Sequence, residues 1–282
     1  MKTTILNNKK TKLFAKIYPK SNCESVVLLH GGPGVPDDLT MIAEFLSGKF
    51  QVITFHQRGT GMSPCSDKDY AIESYLSDID CIANHFEIDK FHLFGHSWGG
   101  LYAQIYVEQN PAKILSVFLC SPGSGTGVQW KETESEVLKF NRSKCSSAEW
   151  LAMGLNSLLG ILGSDKACQR LFKQVIKNYD KGFVSEEPLS FDLQYIRAAP
   201  VNLTRKQLIK YPLLKNNLNP PFKITVTYGD SDIYGESKKY VKERYPDASF
   251  HTIDKCGHFP WVHNKSDFKK ILADHYKIKK QA

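Results

Sequence analysis

Gly95-His96-Ser97-Trp98-Gly99 sets one serine between two glycines, with the apolar run Phe91-His92-Leu93-Phe94 before it and a helical pattern over residues 101–107 after it. A Gly-x-Ser-x-Gly pentapeptide between strand and helix is a nucleophile elbow. The turn strains the serine backbone, and the flanking glycines leave room for it. The hydroxyl then stands at the carboxyl end of a strand, over a helix amino terminus that favours developing negative charge. A serine hydroxyl attacks a carbonyl only when a base removes its proton and an acid fixes the tautomer of that base. Ser97 is the candidate nucleophile, and its partners are expected in the order serine, acid, histidine.

Two later loops supply them. Residues 222–228 run into Gly229-Asp230-Ser231-Asp232, and residues 249–253 run into Asp254-Lys255-Cys256-Gly257-His258. Sites of open α/β sheets gather at such strand ends. His258 is the candidate general base. Asp232 is preferred to Asp230 as the acid, because the loop needs a few residues to reach across to the histidine; Asp230 would stabilise its turn through the backbone. The oxyanion of an acyl transfer also needs donors. The N–H of Trp98, directly after the nucleophile, is one, and Gly32 in His30-Gly31-Gly32-Pro33-Gly34 is the candidate for the second. Each is typically worth about 3 kcal/mol of transition-state stabilisation. His96 and His30 fall near the same pocket, and His30 is expected to anchor its loop by side-chain hydrogen bonds.

The elements that must position these residues follow from periodicity. Residues 3–6 and 13–18 alternate as a hairpin across 7–10. Strands are predicted at 25–29, 50–55, 91–94 and 114–119, with helical patterns at 39–46, 70–86 and 101–107 between them. Such alternation predicts a mostly parallel sheet covered on both faces. The rhythm stops at Ser121-Pro122-Gly123, after the sixth strand. Helical patterns at 130–140, 148–162, 167–178 and 205–215 follow, and the rhythm resumes with a strand at 222–228, a helix at 237–245, a strand at 249–253 and a helix at 266–276. The predicted organisation is a core of residues 1–121 and 220–282 with a helical cap at 122–219. Gly123-Ser124-Gly125-Thr126-Gly127 lacks the lysine of a phosphate-binding loop and is expected to be a hinge. The apolar run from Trp150 to Leu162 is expected to pack on its neighbours, with an acyl-pocket lining as the alternative.

Composition narrows the class. The chain has 282 residues, 41% hydrophobic and 23% charged, in the range of one large globular domain or a domain with an insertion. A net charge of +8 without an aromatic-interleaved basic stripe predicts no nucleic-acid partner. Seven irregularly spaced cysteines without a CxxC pair point to reduced thiols rather than a disulfide framework or zinc site. No signal peptide or membrane-spanning run is visible, which predicts a cytoplasmic protein with no membrane partner. The expected partner is a small-molecule or short-peptide substrate, with no metal or organic cofactor.

Taken together, His30-Gly31-Gly32-Pro33-Gly34, Gln57-Arg58-Gly59-Thr60-Gly61-Met62-Ser63, Gly95-His96-Ser97-Trp98-Gly99-Gly100 and Gly257-His258-Phe259-Pro260-Trp261 resemble α/β-hydrolase-fold proteins of the proline iminopeptidase type. The resemblance covers roughly residues 20–120 and 222–276. It implies a catalytic Ser97, Asp232 and His258, an oxyanion hole from Gly32 and Trp98, and a helical cap. The chain departs from that pattern at two places. His56 stands where the family has aspartate before Gln-Arg-Gly, which predicts an altered local network rather than lost catalysis. The aromatic-rich Trp-x-x-Trp-Glu context that holds a substrate amino group in iminopeptidases is absent, although the cap carries Glu132, Glu134, Glu136, Glu149, Glu186 and Glu187. An aminopeptidase, a small-molecule esterase or amidase (or C–C or lactone hydrolase), and a ligand-binding protein retaining the triad all remain open.

Overall fold

The computed structural model describes residues 1–36, 38–183, 191–217 and 219–278. Its eight strands are β1 (Lys2–Asn8), β2 (Thr11–Tyr18), β3 (Ser25–Leu29), β4 (Gln51–Phe55), β5 (Phe91–His96), β6 (Ile114–Cys120), β7 (Lys223–Gly229) and β8 (Ser249–Ile253). They form one sheet in the order β1-β2-β4-β3-β5-β6-β7-β8. The pairs β1/β2 and β2/β4 are antiparallel and all others parallel. The central strand β3 is buried along its whole length, as its unbroken apolar run requires when both faces are covered. The described helices are α1 (Thr40–Ser47), α2 (Ile72–His85), α3 (Trp98–Gln109), α4 (Gly127–Lys144), α5 (Ser147–Ile161), α6 (Asp165–Asp180), α7 (Ala198–Lys210), α8 (Lys238–Arg244), α9 (Pro260–His263) and α10 (Lys265–His275).

The chain leaves β3 to build β4 on one side and later returns to build β5 on the other. This reversal opens a crevice at the carboxyl ends of β3 and β5, where ligands of such sheets bind. Leu29 pairs with Gly95, and Cys120 with His96, so the loops after β3, β5 and β6 leave the sheet at one level. Gly229 pairs with Ile253, which brings the ends of β7 and β8 together. Helices α4 to α7 all lie between β6 and β7, where the sequence predicts the interruption.

Several expectations shift. The hairpin turns on Lys9 and Lys10, with Lys9 at a φ of 55°, so the strands run longer than expected. Helix α7 ends at Lys210 rather than 215, because Pro212 forces the preceding Tyr211 into extended backbone. The short helix α9, opened by Pro260, has no counterpart in the predicted pattern. The segment expected to be a hinge is instead buried and bonded. Gln104 donates to the Gly123 carbonyl, Arg244 to the Ser124 carbonyl, and Thr126 to the Pro212 carbonyl, at 2.9, 3.0 and 2.6 Å. Nor does the α5 leucine run pack as expected: Leu151, Leu155, Leu158 and Leu162 are all exposed.

Candidate active site

Ser97 sits between β5 and α3 with φ 54° and ψ −118°, a strained conformation for a residue with a side chain. Its glycine neighbours are a steric requirement. A Cβ on Gly95 would run into the Gly99 carbonyl, and one on Gly99 into the Leu29 carbonyl of β3. The Ser97 carbonyl accepts from the N–H groups of Gly100, Leu101 and Gly123 at 3.0, 3.2 and 2.9 Å, which fixes the turn from α3 and from the loop after β6.

The structure brings the three predicted side chains into one chain of hydrogen bonds. His258 Nε2 lies 3.0 Å from Ser97 Oγ, and His258 Nδ1 lies 3.0 Å from Asp232 Oδ1. A carboxylate only accepts, so Nδ1 carries the proton and Nε2 faces the hydroxyl as an acceptor. Burial alone would raise the Asp232 pKa. The electrostatic influence of His258 and the hydrogen bond with it outweigh burial and lower it to about 2. Asp230 does not take part: its carboxylate accepts the N–H groups of Lys255 and Cys256 at 2.8 and 3.1 Å and so ties the loop after β8 to the loop after β7. His96 donates through Nε2 to the His258 carbonyl at 2.9 Å.

The imidazole is walled by aromatic rings. Tyr179 from α6 and Tyr234 meet it edge-on, with centroids 5.4 and 5.3 Å away. The Tyr234 hydroxyl also lies 3.2 Å from Ser97 Oγ. Burial pushes that phenol's pKa up, so it stays protonated and can donate. Tyr234 is a site residue that the sequence reading missed, although its place two residues after Asp232 was a signal for proximity.

Gly32 and Trp98 sit on segments joined by one buried network. The Trp98 indole N–H donates to Gln57 Oε1 at 2.7 Å, and Gln57 Nε2 donates to the His30 carbonyl at 2.8 Å. The Gln57 N–H donates to His30 Nε2 at 3.1 Å, which leaves His30 Nδ1–H to donate to the Gly31 carbonyl at 2.6 Å. His30 thus anchors its loop as expected. Gln57 was missed as the link, though its position two residues after β4 marked it for the crevice. Gly32 has a φ of 117°, and a Cβ there would lie 2.9 Å from the N atoms of Gly34 and Val35. As the first residue of α3, Trp98 has an N–H that no carbonyl of its helix can reach. His56 accepts the Met62 N–H through Nδ1 at 3.0 Å, with a pKa lowered to about 4 by burial and by the nearby His30 and Lys16. A neutral imidazole nitrogen thus holds the turn there.

The described glutamates of the inserted helices all have other partners. Glu132 accepts from the Tyr240 hydroxyl at 2.5 Å, and Glu134 is bidentate with Arg205 at 2.5 and 2.8 Å. Glu149 closes the capping box of α5 and pairs with Lys177 at 2.9 Å. Glu136 reaches from α4 to the loop after β7, where it accepts from Gly235 N, Ser237 N and Ser237 Oγ at 2.8, 2.9 and 2.5 Å. Nothing local in the sequence pairs Glu136 with that loop. Glu186 and Glu187 lie outside the described residues.

A nucleophile-elbow serine at the crevice of a mostly parallel sheet defines the class: the chain belongs to the alpha/beta hydrolase fold family, whose model matches residues 24–263. Within it, the chain is proline iminopeptidase-like. It is 31% identical over 269 residues to the proline iminopeptidase of Lactobacillus delbrueckii subsp. lactis, covering 88% of each chain. It is also 31% identical over 127 residues to that of Lactobacillus helveticus (strain DPC 4571), a match spanning 43% of each chain, less than half of that relative's length. Among solved structures, a marine microorganism esterase superposes with a TM-score of 0.63 at 20% identity, covering 93% of this chain and 98% of that one.

Proposed function

We propose that this chain is a serine hydrolase of small ester or amide substrates that works through an acyl-enzyme. Ser97 Oγ attacks the carbonyl as His258 Nε2 takes its proton, and Asp232 holds the imidazole and stabilises the imidazolium. The N–H groups of Gly32 and Trp98 receive the oxyanion. His258 returns the proton to the leaving group, then activates water for deacylation. Tyr234 donates to the serine oxygen throughout. Residues 122–219 serve as the cap over a core of 1–121 and 220–282. The observation that carries this reading is the unbroken Ser97–His258–Asp232 chain, with both links at 3.0 Å.

On the substrate side, every described cap glutamate is bound to a group of this chain. A substrate ammonium would have to displace a hydrogen bond or ion pair to reach one, so recognition through the acyl group is favoured over recognition of a free amine. A second reading, proline iminopeptidase activity, is favoured by the 31% identity over most of the chain to an enzyme of that name. One pair of assays separates them. Fluorophosphonate should label Ser97 stoichiometrically, and short-chain aryl esters should turn over whether or not the acyl group carries a free amine. Cleavage of prolyl arylamide that vanishes when the amine is acetylated would install the second reading. Labelling and turnover that survive Ser97→Ala would overturn both.

A further inference from the structure

Leu151, Leu155, Leu158 and Leu162 recur at four- and three-residue steps along α5 and its carboxyl end, with exposures of 76%, 59%, 56% and 76%. Such a spacing places them on one face. The buried residues of α5, Met153 and Gly160, lie on the opposite face. Ile161, 67% exposed, and Leu159, 37% exposed, border the stripe. Exposed leucines scattered singly need no explanation, but a contiguous apolar stripe marks an interaction surface.

The antiparallel neighbour α6 repeats the same spacing in charge. Lys166, Arg170, Lys173 and Lys177 are all exposed and stand opposite its buried residues Cys168 and Tyr179. Two bonds lock the helices side by side: Arg170 Nε to Asn156 Oδ1 at 3.0 Å, and Lys177 Nζ to Glu149 Oε1 at 2.9 Å. Lys177 spends its charge on Glu149, while Lys166, Arg170 and Lys173 have no ion-pair partner among the described residues. The hairpin thus carries an exposed leucine stripe on α5 and an exposed basic stripe on α6.

We propose that the α5–α6 hairpin is a docking surface for an anionic lipid bilayer, with the leucines entering the acyl boundary and the α6 cations meeting the headgroups. Charge complementarity selects this occupant. A second copy of this chain would cover the leucines but offer no anionic partner to the α6 cations. An anionic bilayer satisfies both stripes at once. Among the described residues no helix is long and apolar enough to cross a membrane, so the proposed contact is interfacial. The proposal goes beyond the sequence expectation of no membrane partner, which rested on the search for spanning segments. The proposal does not depend on the catalytic reading.

The test uses the full chain and vesicles of phosphatidylcholine with or without about one-third phosphatidylglycerol. Binding is measured by co-sedimentation at low and high salt, with sedimentation velocity on the protein alone. The anionic vesicles should capture the protein, plain phosphatidylcholine far less, and salt should release it. Lys166→Gln/Arg170→Gln/Lys173→Gln should weaken binding on the order of a hundred-fold. Leu151→Ser/Leu155→Ser/Leu158→Ser should lower it at any salt, while both variants keep the parent's circular dichroism and hydrolysis of a soluble aryl ester. Equal binding to both vesicle types, indifference to both variants, or a concentration-dependent dimer lost in the leucine variant without vesicle capture would each overturn the proposal.

Discussion

Replacing Gln57 by alanine tests whether the two proposed oxyanion donors are held by one side chain. Gln57 is 1% exposed and links the Trp98 indole to the His30 carbonyl with bonds of 2.7 and 2.8 Å. Truncation strands one buried donor and one buried acceptor, each worth about 1–3 kcal/mol when left unsatisfied. A stability loss of about 2–6 kcal/mol is expected, towards the lower end if water enters the space. The catalytic effect is separate. If the loop carrying Gly32 and the first turn of α3 move relative to each other, the oxyanion loses alignment with a donor whose removal typically costs about a hundred- to a thousand-fold in kcat. Partial misalignment should then lower kcat on an aryl ester about ten- to a hundred-fold with KM little changed, because the interaction forms only in the transition state. Urea unfolding and steady-state kinetics on the same preparation separate the two effects. A destabilised Gln57→Ala protein whose kcat stays within about threefold of the parent would refute the reasoning, leaving Gln57 as packing alone.

Other outcomes follow from the same geometry. Tyr234→Phe, which removes the hydroxyl 3.2 Å from Ser97 Oγ, should lower kcat about tenfold while leaving fluorophosphonate labelling possible; an unchanged kcat would show that the hydroxyl is a bystander. Glu136→Ala should free the Gly235–Ser237 loop, lowering both the melting temperature and kcat. Glu136→Gln, which keeps the size and one acceptor oxygen, should restore part of each. Acid should destabilise the protein in two stages. His56 and His275 have pKa values lowered by burial to about 4 and about 3, so the unfolded chain takes up their protons first and stability falls as pH drops from about 6.5 through those values. Asp232, held at about 2, contributes stability that is present above its ordinary range and lost as pH falls from about 4 towards 2. Melting curves of His275→Gln should flatten the first stage; a slope like the parent's would show that the buried imidazole does not control it.

The sequence made most of this arrangement legible, for a physical reason. Ser97, Asp232 and His258 each follow a short apolar run, and in a parallel sheet the ends of such runs converge at one edge, so position along the chain implied proximity in space. Asp232 could be preferred to Asp230 because reach sets which carboxylate meets the imidazole; the rejected Asp230 turned to the neighbouring loop's amides. Contacts away from the strand ends left no trace. The link from Glu136 to Ser237 spans 101 positions and depends on how α4 lies over the sheet. The leucine stripe failed differently. Its spacing correctly placed the side chains on one face, but periodicity says nothing about whether anything covers that face. The expected hinge at 123–127 failed because glycine content measures backbone freedom in an isolated chain, and here Gln104 and Arg244 had already claimed the carbonyls.

The bond from Glu136 to the loop after β7 bears on how such proteins diversify. A helical insertion is the natural place to alter substrate choice, since its surface changes without touching the sheet. Here one carboxylate of that insertion holds the loop that carries Asp232 and Tyr234. A chimera that took the α4–α7 segment from a relative would lose this brace unless the partner residues came with it. The two parts must therefore change in concert, with position 136 and residues 235–237 as the seam along which any exchange has to be matched.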